Sequence, residues 1–333
     1  MSITRLSDVI QHTQFTKLAL AESIRRSALY ETGLIQQDAE LSRLCAANVG
    51  SVFQFEYFDD LADTTPNQSN DDPSDLATAN KIGTATNKAV KVMRNNGWGA
   101  ANITANLSSV GDPMAAIAGR IGAYWGRHYD ISGINVVRGI IADNIANDSG
   151  DMIKDISAVS NGQKITFDAL ADAAQTAGDA KSMFKIAVMH SSQATVLMKD
   201  QVSEKVYDAN GNLLYTSILG WRIIESDNVY NSAGVYDTYI FKPGSLGIGF
   251  GSAKKPEEIE NAPSSGNGEG AETLWSRRHF CIHPYGFDFT EDTVADGVSP
   301  TNAEFALAAN WNRKYERKRV GLAVLRSKNA SSA

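Results

Sequence analysis

The sequence predicts an α+β fold made of a helical arm, a long two-stranded projection, one very long helix and a sheet-centred unit. Three observations carry that expectation. Apolar residues recur every three or four positions from Met114 to Ile145 with no proline between them. Helix-like and strand-like patterns alternate from residue 164 onward. Two strand-like segments flank an acidic stretch that has no large apolar face of its own.

Composition bounds the class. With 333 residues, 43 % hydrophobic and 21 % charged, the chain can bury more than one core, which excludes a disordered or collagen-like chain. Only Cys45 and Cys281 occur, so no disulfide framework is written here. The net charge of −7 argues against a dedicated nucleic-acid binder, which needs surplus Lys and Arg. No basic leader with an apolar run opens the sequence, and no run of ~18 apolar residues occurs, so the expectation is a soluble chain made in the cytoplasm.

Residues 1–48 read as a helical arm with a narrow apolar stripe (Leu18, Ala21, Ile24, Ala28, Leu29) and a stop at Gly33; such an arm should lie on another surface. Residues 50–99 hold a strand at Val52–Tyr57 and a second at Ala89–Arg94. Between them Asp59, Asp60, Asp63, Asp71, Asp72 and Asp75 fall with no base, while the return limb carries Lys81, Lys88, Lys91 and Arg94 with no acid. A lone two-stranded ribbon is marginal in water, so it implies a partner that covers it; composition alone equally allows a solvated insertion.

Asp112-Pro113 suits the N-cap and first turn of a helix running to about Asn147, ~50 Å at 1.5 Å per residue. Gly119, Gly122, Gly126, Gly133 and Gly139 interrupt it at ~1 kcal/mol each, a cost that close packing must offset. Thr166–Thr176 reads as a helix, Met183–Met189 as a strand, and Ser191 as the cap of a helix through Met198. Asn210-Gly211 marks a turn, and strands follow at Trp221–Ile224, Thr238–Phe241 and Leu246–Phe250, which places a mixed sheet in residues 150–252. Residues 253–270 read as an exposed loop, with strands at Thr273–Ile282 and Tyr285–Thr290 after it. A capping box at Thr301 and Glu304 starts a helix that ends in Arg313, Lys314, Arg317, Lys318 and Arg319, before a last strand at Val320–Leu325. These late strands should pair with the 50–110 region.

Catalytic signatures are scarce. There is no nucleophile elbow, no His-Glu-x-x-His, no Cys-x-x-Cys and no Walker loop. Gly247-Ile248-Gly249-Phe250-Gly251 lacks the third glycine and the helix of a dinucleotide fingerprint and reads as strand. His279, Cys281 and His283 share one strand face and offer zinc-type ligands, the basis of a zinc-dependent hydrolase alternative. At ~7 Å between neighbours, buried cysteine and packed imidazoles fit better, and no metal or cofactor is expected. His190-Ser191-Ser192 reads as a capping sequence rather than a nucleophile and base, and His128 as a polar helix position. The 313–319 cations suit a helix C-terminus, with phosphate contact as the alternative.

A set of ordered motifs then resembles one family. Asp112-Pro113-Met114 opens a helix containing Tyr124-Trp125. Phe167-Asp168-Ala169-Leu170 and Val188-Met189-His190-Ser191 follow, then Ser276-Arg277-Arg278-His279-Phe280 with His283-Pro284-Tyr285-Gly286-Phe287, and Ser299-Pro300-Thr301-Asn302 ahead of Asn310-Trp311. Their order and spacing are similar to the major capsid (coat) proteins of tailed bacteriophages, of Hong Kong 97-like fold, over most of the chain. The resemblance implies an N-terminal arm (1–48), an extension loop (50–99), a peripheral domain (100–149 and 253–333) with a spine helix at 112–147, and an axial domain (150–252). It implies no enzyme. It implies instead a shell protein forming the hexamers and pentamers of an icosahedral head in the virion, assembled in the bacterial host's cytoplasm around double-stranded DNA without sequence-specific binding. Scaffolding and portal proteins are the implied partners; a nanocompartment shell of the same fold is the alternative. The extension loop would then contact a neighbouring subunit through Asp59, Asp60, Asp63, Asp71, Asp72, Lys81, Lys88, Lys91 and Arg94. The arm looks too short for a cleaved scaffolding segment. Nothing marks Lys81, Lys88 or Lys91 as reactive, so Lys–Asn crosslinks are not expected.

Overall fold

The computed structural model describes residues 29, 34–47, 50–58, 61, 64–103, 113–158, 164–200, 204–207, 213–232, 234–295 and 298–328. The stripe expected at residues 18–28, Gly33, the Asp112 cap and the Asn210-Gly211 turn lie outside these. In chain order come β1 (Ile35–Gln37), α1 (Ala39–Ala46), β2 (Val52–Phe58), β3 (Thr84–Val90), β4 (Val92–Ala101) and the long helix α2 (Pro113–Asn147). Then follow β5 (Ile153–Asp155), α3 (Phe167–Gln175), β6 (Ile186–Met189), α4 (Ser191–Lys199), β7 (Glu204–Tyr207), β8 (Leu213–Ile218), β9 (Trp221–Glu225), β10 (Tyr230–Ser232) and β11 (Val235–Phe241). The chain closes with β12 (Leu246–Gly251), β13 (Glu257–Ala262), β14 (Ala271–Pro284), β15 (Phe287–Phe289), α5 (Asn302–Phe305), β16 (Trp311–Arg313) and β17 (Leu322–Lys328).

Two sheets flank α2. One has five strands with β14 at its centre: β12 and β13 line one edge of β14 in succession, β4 lines the other, and β1 adds parallel to β12. The other runs β5-β17-β11-β6-β9-β8-β7, mixed in direction, with β10 beside β11. Side chains of α2 from Ile121 to Ile141 join one apolar cluster with Leu246, Leu274 and Phe280 of the first sheet and Val188, Tyr239 and Val324 of the second. The second half of the helix is buried over most of its circumference: Ser132, Ile134, Val136, Val137, Ile140, Ile141, Asp143 and Asn144 are each under 5 % exposed, and a strip through Asn135, Arg138 and Ile145 stays partly open. Helices α3 and α4 cover the opposite face of the eight-stranded sheet through Leu170, Ala173, Ala194 and Leu197. Among the described residues no helix is long and apolar enough to cross a membrane.

The helix glycines divide by surroundings. At Gly139 a Cβ would overlap the Phe305 carbonyl oxygen and the Trp311 indole, so glycine is what lets α5 close on the helix. At Gly119 a Cβ would meet nothing. Polar contacts finish the seam between α2 and β14: Trp125 Nε1 donates to Ser276 Oγ (2.9 Å), and Ser276 Oγ donates to Glu257 Oε1 (2.9 Å). Glu257 pairs with Arg278 at 2.6 Å, both almost fully buried, and the Arg278 guanidinium lies 5.7 Å from the Trp125 ring centre.

Several expectations are corrected. The second ribbon strand is not one strand at 89–94: Lys91 N–H donates to Ser51 O, ending the ribbon ladder, and the chain switches to pair with β14 from Val92. The late strand β14 does pair with the 50–110 region, yet β17 joins the eight-stranded sheet beside β11 and β5. Conversely Leu246–Phe250, expected among strands of 150–252, lies in the five-stranded sheet. Residues 253–270 are not all loop, because Glu257–Ala262 pairs with β14. The capping box forms, but its helix stops at Phe305. Asn310 Nδ2 and Trp311 Nε1 donate to the carbonyls of Glu304 and Phe305 and so replace the next helical N–H groups. The α4 cap is His190, whose Nδ1 accepts from Ser192 N–H at 3.1 Å, rather than Ser191.

The Gly247-x-Gly249-x-Gly251 run is strand, and the structure shows its purpose. Cβ atoms there would come within 2.5–2.9 Å of Leu41, Ser42, Cys45 and Tyr285. The three glycines make a flat lane in which α1 lies against β12. Asp38 fixes it, capping α1 through the N–H groups of Glu40 (2.7 Å) and Leu41 (3.2 Å) while its own N–H donates to Ile248 O (3.0 Å). Gly249→Ala is expected to lower stability by about 2–3 kcal/mol through overpacking. Gly119→Ala is expected to raise it by up to ~1 kcal/mol. Urea-unfolding midpoints of the two variants check both signs.

Candidate functional site: the ribbon and its anchorage

Strands β2 and β3 pair only with each other, from Val52 opposite Val90 to Phe58 opposite Thr84. Sequence alternation sends one side chain in two to each face, and the base of the ribbon uses this to seat itself. Phe53 is buried against Leu41, Cys45, Ala89 and Cys281. Phe55 meets the His283 ring edge-on at 5.2 Å, and Tyr57 meets Tyr315 at 5.5 Å. The Lys88 N–H donates to Asp288 Oδ1 (3.0 Å), whose other oxygen faces Lys314 at 3.3 Å.

Described residues 64–84 are all exposed. The two limbs nevertheless run together, because Asn80 Nδ2 donates to Thr64 Oγ1 (2.8 Å) and Asn67 Nδ2 to Thr78 O (2.9 Å). Asp72 closes the tip by accepting from the N–H (2.9 Å) and hydroxyl (2.7 Å) of Ser74, bonds that lower its carboxyl pKa. The projection carries large apolar side chains in water: Phe58 is 70 % exposed, Leu61 71 %, Leu76 89 % and Ile82 50 %. Four such groups on one thin element make an exposed apolar surface of the kind found at interaction sites.

The charged residues expected at this site separate. Asp71, Asp72 and Lys81 lie on the exposed projection, and Asp59, Asp60 and Asp63 lie outside the described residues. Lys88 is half-buried at the anchored base. Lys91 is buried, close enough to Cys45 and His279 to act on both electrostatically. Arg94 is held within the subunit, donating to Ser299 Oγ (2.9 Å), Met93 O (3.1 Å) and Pro300 O. Reading the sequence by limb could not separate these, because the strand switch at Lys91 takes the last two cations off the ribbon.

The other candidates resolve into structural roles. His279, Cys281 and His283 do share a face of β14, under α1 and the ribbon base. Burial pushes the Cys281 thiol up and the Cys45 thiol to about 11, and it holds His283 neutral with a pKa of about 3. Among the described residues no group of three His, Cys, Asp or Glu side chains could hold a metal ion. His190 Nε2 lies 3.5 Å from Asp227, which also accepts from Ser191 Oγ at 2.6 Å, so this cluster ties the start of α4 to the chain after β9. His128 packs at 4.3 Å from Tyr124. The basic run 313–319 does not end a helix. Arg313 pairs with Asp148 and Asp151, Lys314 with Asp288 and Lys318 with Asp179, and Arg317 donates to Thr176 Oγ1.

Residues 46–321 match the family model described as "Major capsid protein 13-like". The major capsid protein of Bacillus phage SPP1 is 31 % identical over 327 residues, covering 96 % of this chain and 97 % of that protein. Among solved structures, the capsid of Ralstonia phage GP4 superposes with a TM-score of 0.61 at 11 % identity, over 93 % of both chains. The cyanophage Pam1 capsid gives 0.57 at 12 % identity, over 93 % of this chain and 94 % of that one. The chain belongs to the major capsid protein 13-like family, is a phage major capsid protein, and has the Hong Kong 97-like fold.

The neutral, buried His283 beneath the ribbon base makes stability pH-dependent. Its pKa is about 3 in the folded chain against ~6.5 unfolded. Between those values the unfolded chain holds the extra proton, so stability falls as pH drops below ~6.5, by at most ~1.4 kcal/mol per pH unit from this group. In His283→Leu that part of the slope should vanish; urea titrations from neutral to acid pH that show an unchanged slope would refute the assignment.

Proposed function

We propose that this capsid protein closes its shell by laying the projecting part of its ribbon, residues 58–83, on a second copy of itself. The observation that carries this reading is the contrast along one element: a base fixed by Phe53, Phe55 and Asp288, and an outer part whose Phe58, Leu61, Leu76 and Ile82 remain in water. Burying those four side chains would stabilise a contact by roughly 1.5–3 kcal/mol each before ordering costs. Because every copy both gives and receives a ribbon, the contact is head-to-tail, and rings close where the rotation allows. Hexamers and pentamers in an icosahedral head are the assembly this supports.

Asp71, Asp72 and Lys81, with Asp59, Asp60 and Asp63 of the outgoing limb, are the charges we assign to the inter-subunit contact, where they set register more than affinity. Lys88 would contribute at the rim of the base, while Lys91 and Arg94 support the joint from inside. The head would form in the host cytoplasm with scaffolding and portal proteins and enclose double-stranded DNA without reading its sequence. An acidic chain suits that role, because a wall that gripped the genome would hinder its movement.

Replacing residues 64–82 by a short Gly-Ser turn should leave a folded subunit, since β2, β3 and their anchorage remain. Far-ultraviolet circular dichroism and the unfolding midpoint should match the parent, while negative-stain microscopy should show no closed shells. Normal shells from the shortened chain would overturn the proposal. Substituting Asp71, Asp72 and Asp75 together by lysine should raise the protein concentration needed for assembly, an effect that weakens in high salt.

A further inference from the structure

Four Asn-Gly pairs occur in the chain, at 96–97, 161–162, 210–211 and 267–268. The middle two lie outside the described residues, and the outer two have opposite surroundings. Asn96 stands in β4 opposite Ser276, with Gly97 opposite Trp275. Its Nδ2 donates to the Tyr124 hydroxyl (2.8 Å) and its Oδ1 accepts from the Gly97 N–H (2.9 Å). The Trp275 ring lies so flat on Gly97 that a Cβ there would sit 2.8 Å from it. The Nδ2 end of that amide is held by Tyr124, and the strand backbone beside it is paired and covered, which opposes the rotation needed to close an imide.

Asn267 is the reverse case. It sits exposed at the tip of the loop joining β13 to β14, in the left-handed region at φ 56°, followed by Gly268 at φ 101°. A Cβ on Gly268 would meet no atom within 4 Å. The loop is fixed at its ends, where Gly270 N–H donates to Ser265 O (2.8 Å) and Asn102 Nδ2 to Glu269 O (3.1 Å). Between those ties only a long bond from the Glu269 N–H to Gly266 O (3.5 Å) crosses the tip, and Gly266 and Gly268 put no side chain beside Asn267.

We propose that Asn267 is a site of spontaneous deamidation, while Asn96 is protected by the fold; this inference is independent of the assembly reading. The Gly268 amide nitrogen, deprotonated by solvent base, attacks Asn267 Cγ. The N–Cγ bond forms, the Cγ–Nδ2 bond breaks, and ammonia leaves carrying the returned proton. Water then opens the resulting five-membered imide at either carbonyl, giving aspartate or isoaspartate. The net change consumes water and releases ammonia, with no oxidant or cofactor. Each event adds a negative charge beside Glu269, and the isoaspartyl product lengthens the backbone at the loop tip by one carbon.

The test is peptide mapping by mass spectrometry of the full chain aged in mildly alkaline buffer, folded and in concentrated urea, with isoaspartyl detection by enzymatic methylation. In the folded protein the Asn267 peptide should convert several-fold faster than the Asn96 peptide, and in urea the two should converge, because both are then plain Asn-Gly. Tyr124→Phe, which removes the hydroxyl holding Asn96, should speed conversion at Asn96 and leave Asn267 unchanged. An Asn267 that keeps its amide in the folded chain, or equal folded-state rates at the two positions, would overturn the proposal.

Discussion

A helix that must bury most of its circumference cannot be satisfied by one neighbour, and α2 decides the architecture for that reason. In its second half only a strip through Asn135, Arg138 and Ile145 stays partly open, and both sheets close on the rest. The five-stranded sheet supplies Leu274 and Phe280, the eight-stranded sheet Val188 and Tyr239, and the two share one continuous cluster. The α2–β14 seam also takes in a buried ion pair, Glu257 with Arg278. Desolvation drives the Glu257 carboxyl upward, and the Arg278 and Ser276 partners oppose it. Such a pair adds little net stability over an apolar substitute, but it accepts only one seating of the helix against the strand.

The same economy of surfaces produces the projecting ribbon. The outer face of β14 is used at its C-terminal end by α1 and the ribbon base, through Leu41, Cys45 and Phe53. Described residues 64–84 of the outer limbs are all exposed. Side-chain rungs such as Asn80 to Thr64 keep the limbs together but bury nothing. The apolar groups left on the outer part are thus an unmet requirement of the isolated chain. In the proposed assembly a neighbouring copy covers them, above a base where burial raises the Cys45 and Cys281 thiols and keeps His283 neutral.

Much of this was legible in residues that act locally. The spine helix follows from its spacing, the Thr301–Glu304 capping box from its two side chains, and the strand at Gly247–Gly251 from the missing third glycine and helix of a dinucleotide fingerprint. The ribbon was legible as a pair of strands around a polar stretch. What sequence reading missed were contacts made across long separations. Arg94 looks like a ribbon cation until the chain switches to β14 and brings it to Ser299 and Pro300. The run at 313–319 looks like a helix end until Asn310 and Trp311 take the carbonyls of Glu304 and Phe305. The glycines of β12 gave no local sign that they form a lane for α1, since only the bound helix shows why a Cβ is refused.

Periodicity, capping and composition therefore determined the long helix, the helices and strands of residues 166–250 and the ribbon that stands apart, because those properties depend on neighbours within a few residues. Sheet membership and the fate of each charge were decided by the tertiary structure alone. Strand pairing is chosen by complementary faces brought together from distant parts of the chain, and a side chain's burial is fixed only when those faces meet. For β17, which ends the described chain yet pairs with β11 and β5, no local feature of Leu322–Lys328 distinguishes one sheet from the other; the packed helix between them does.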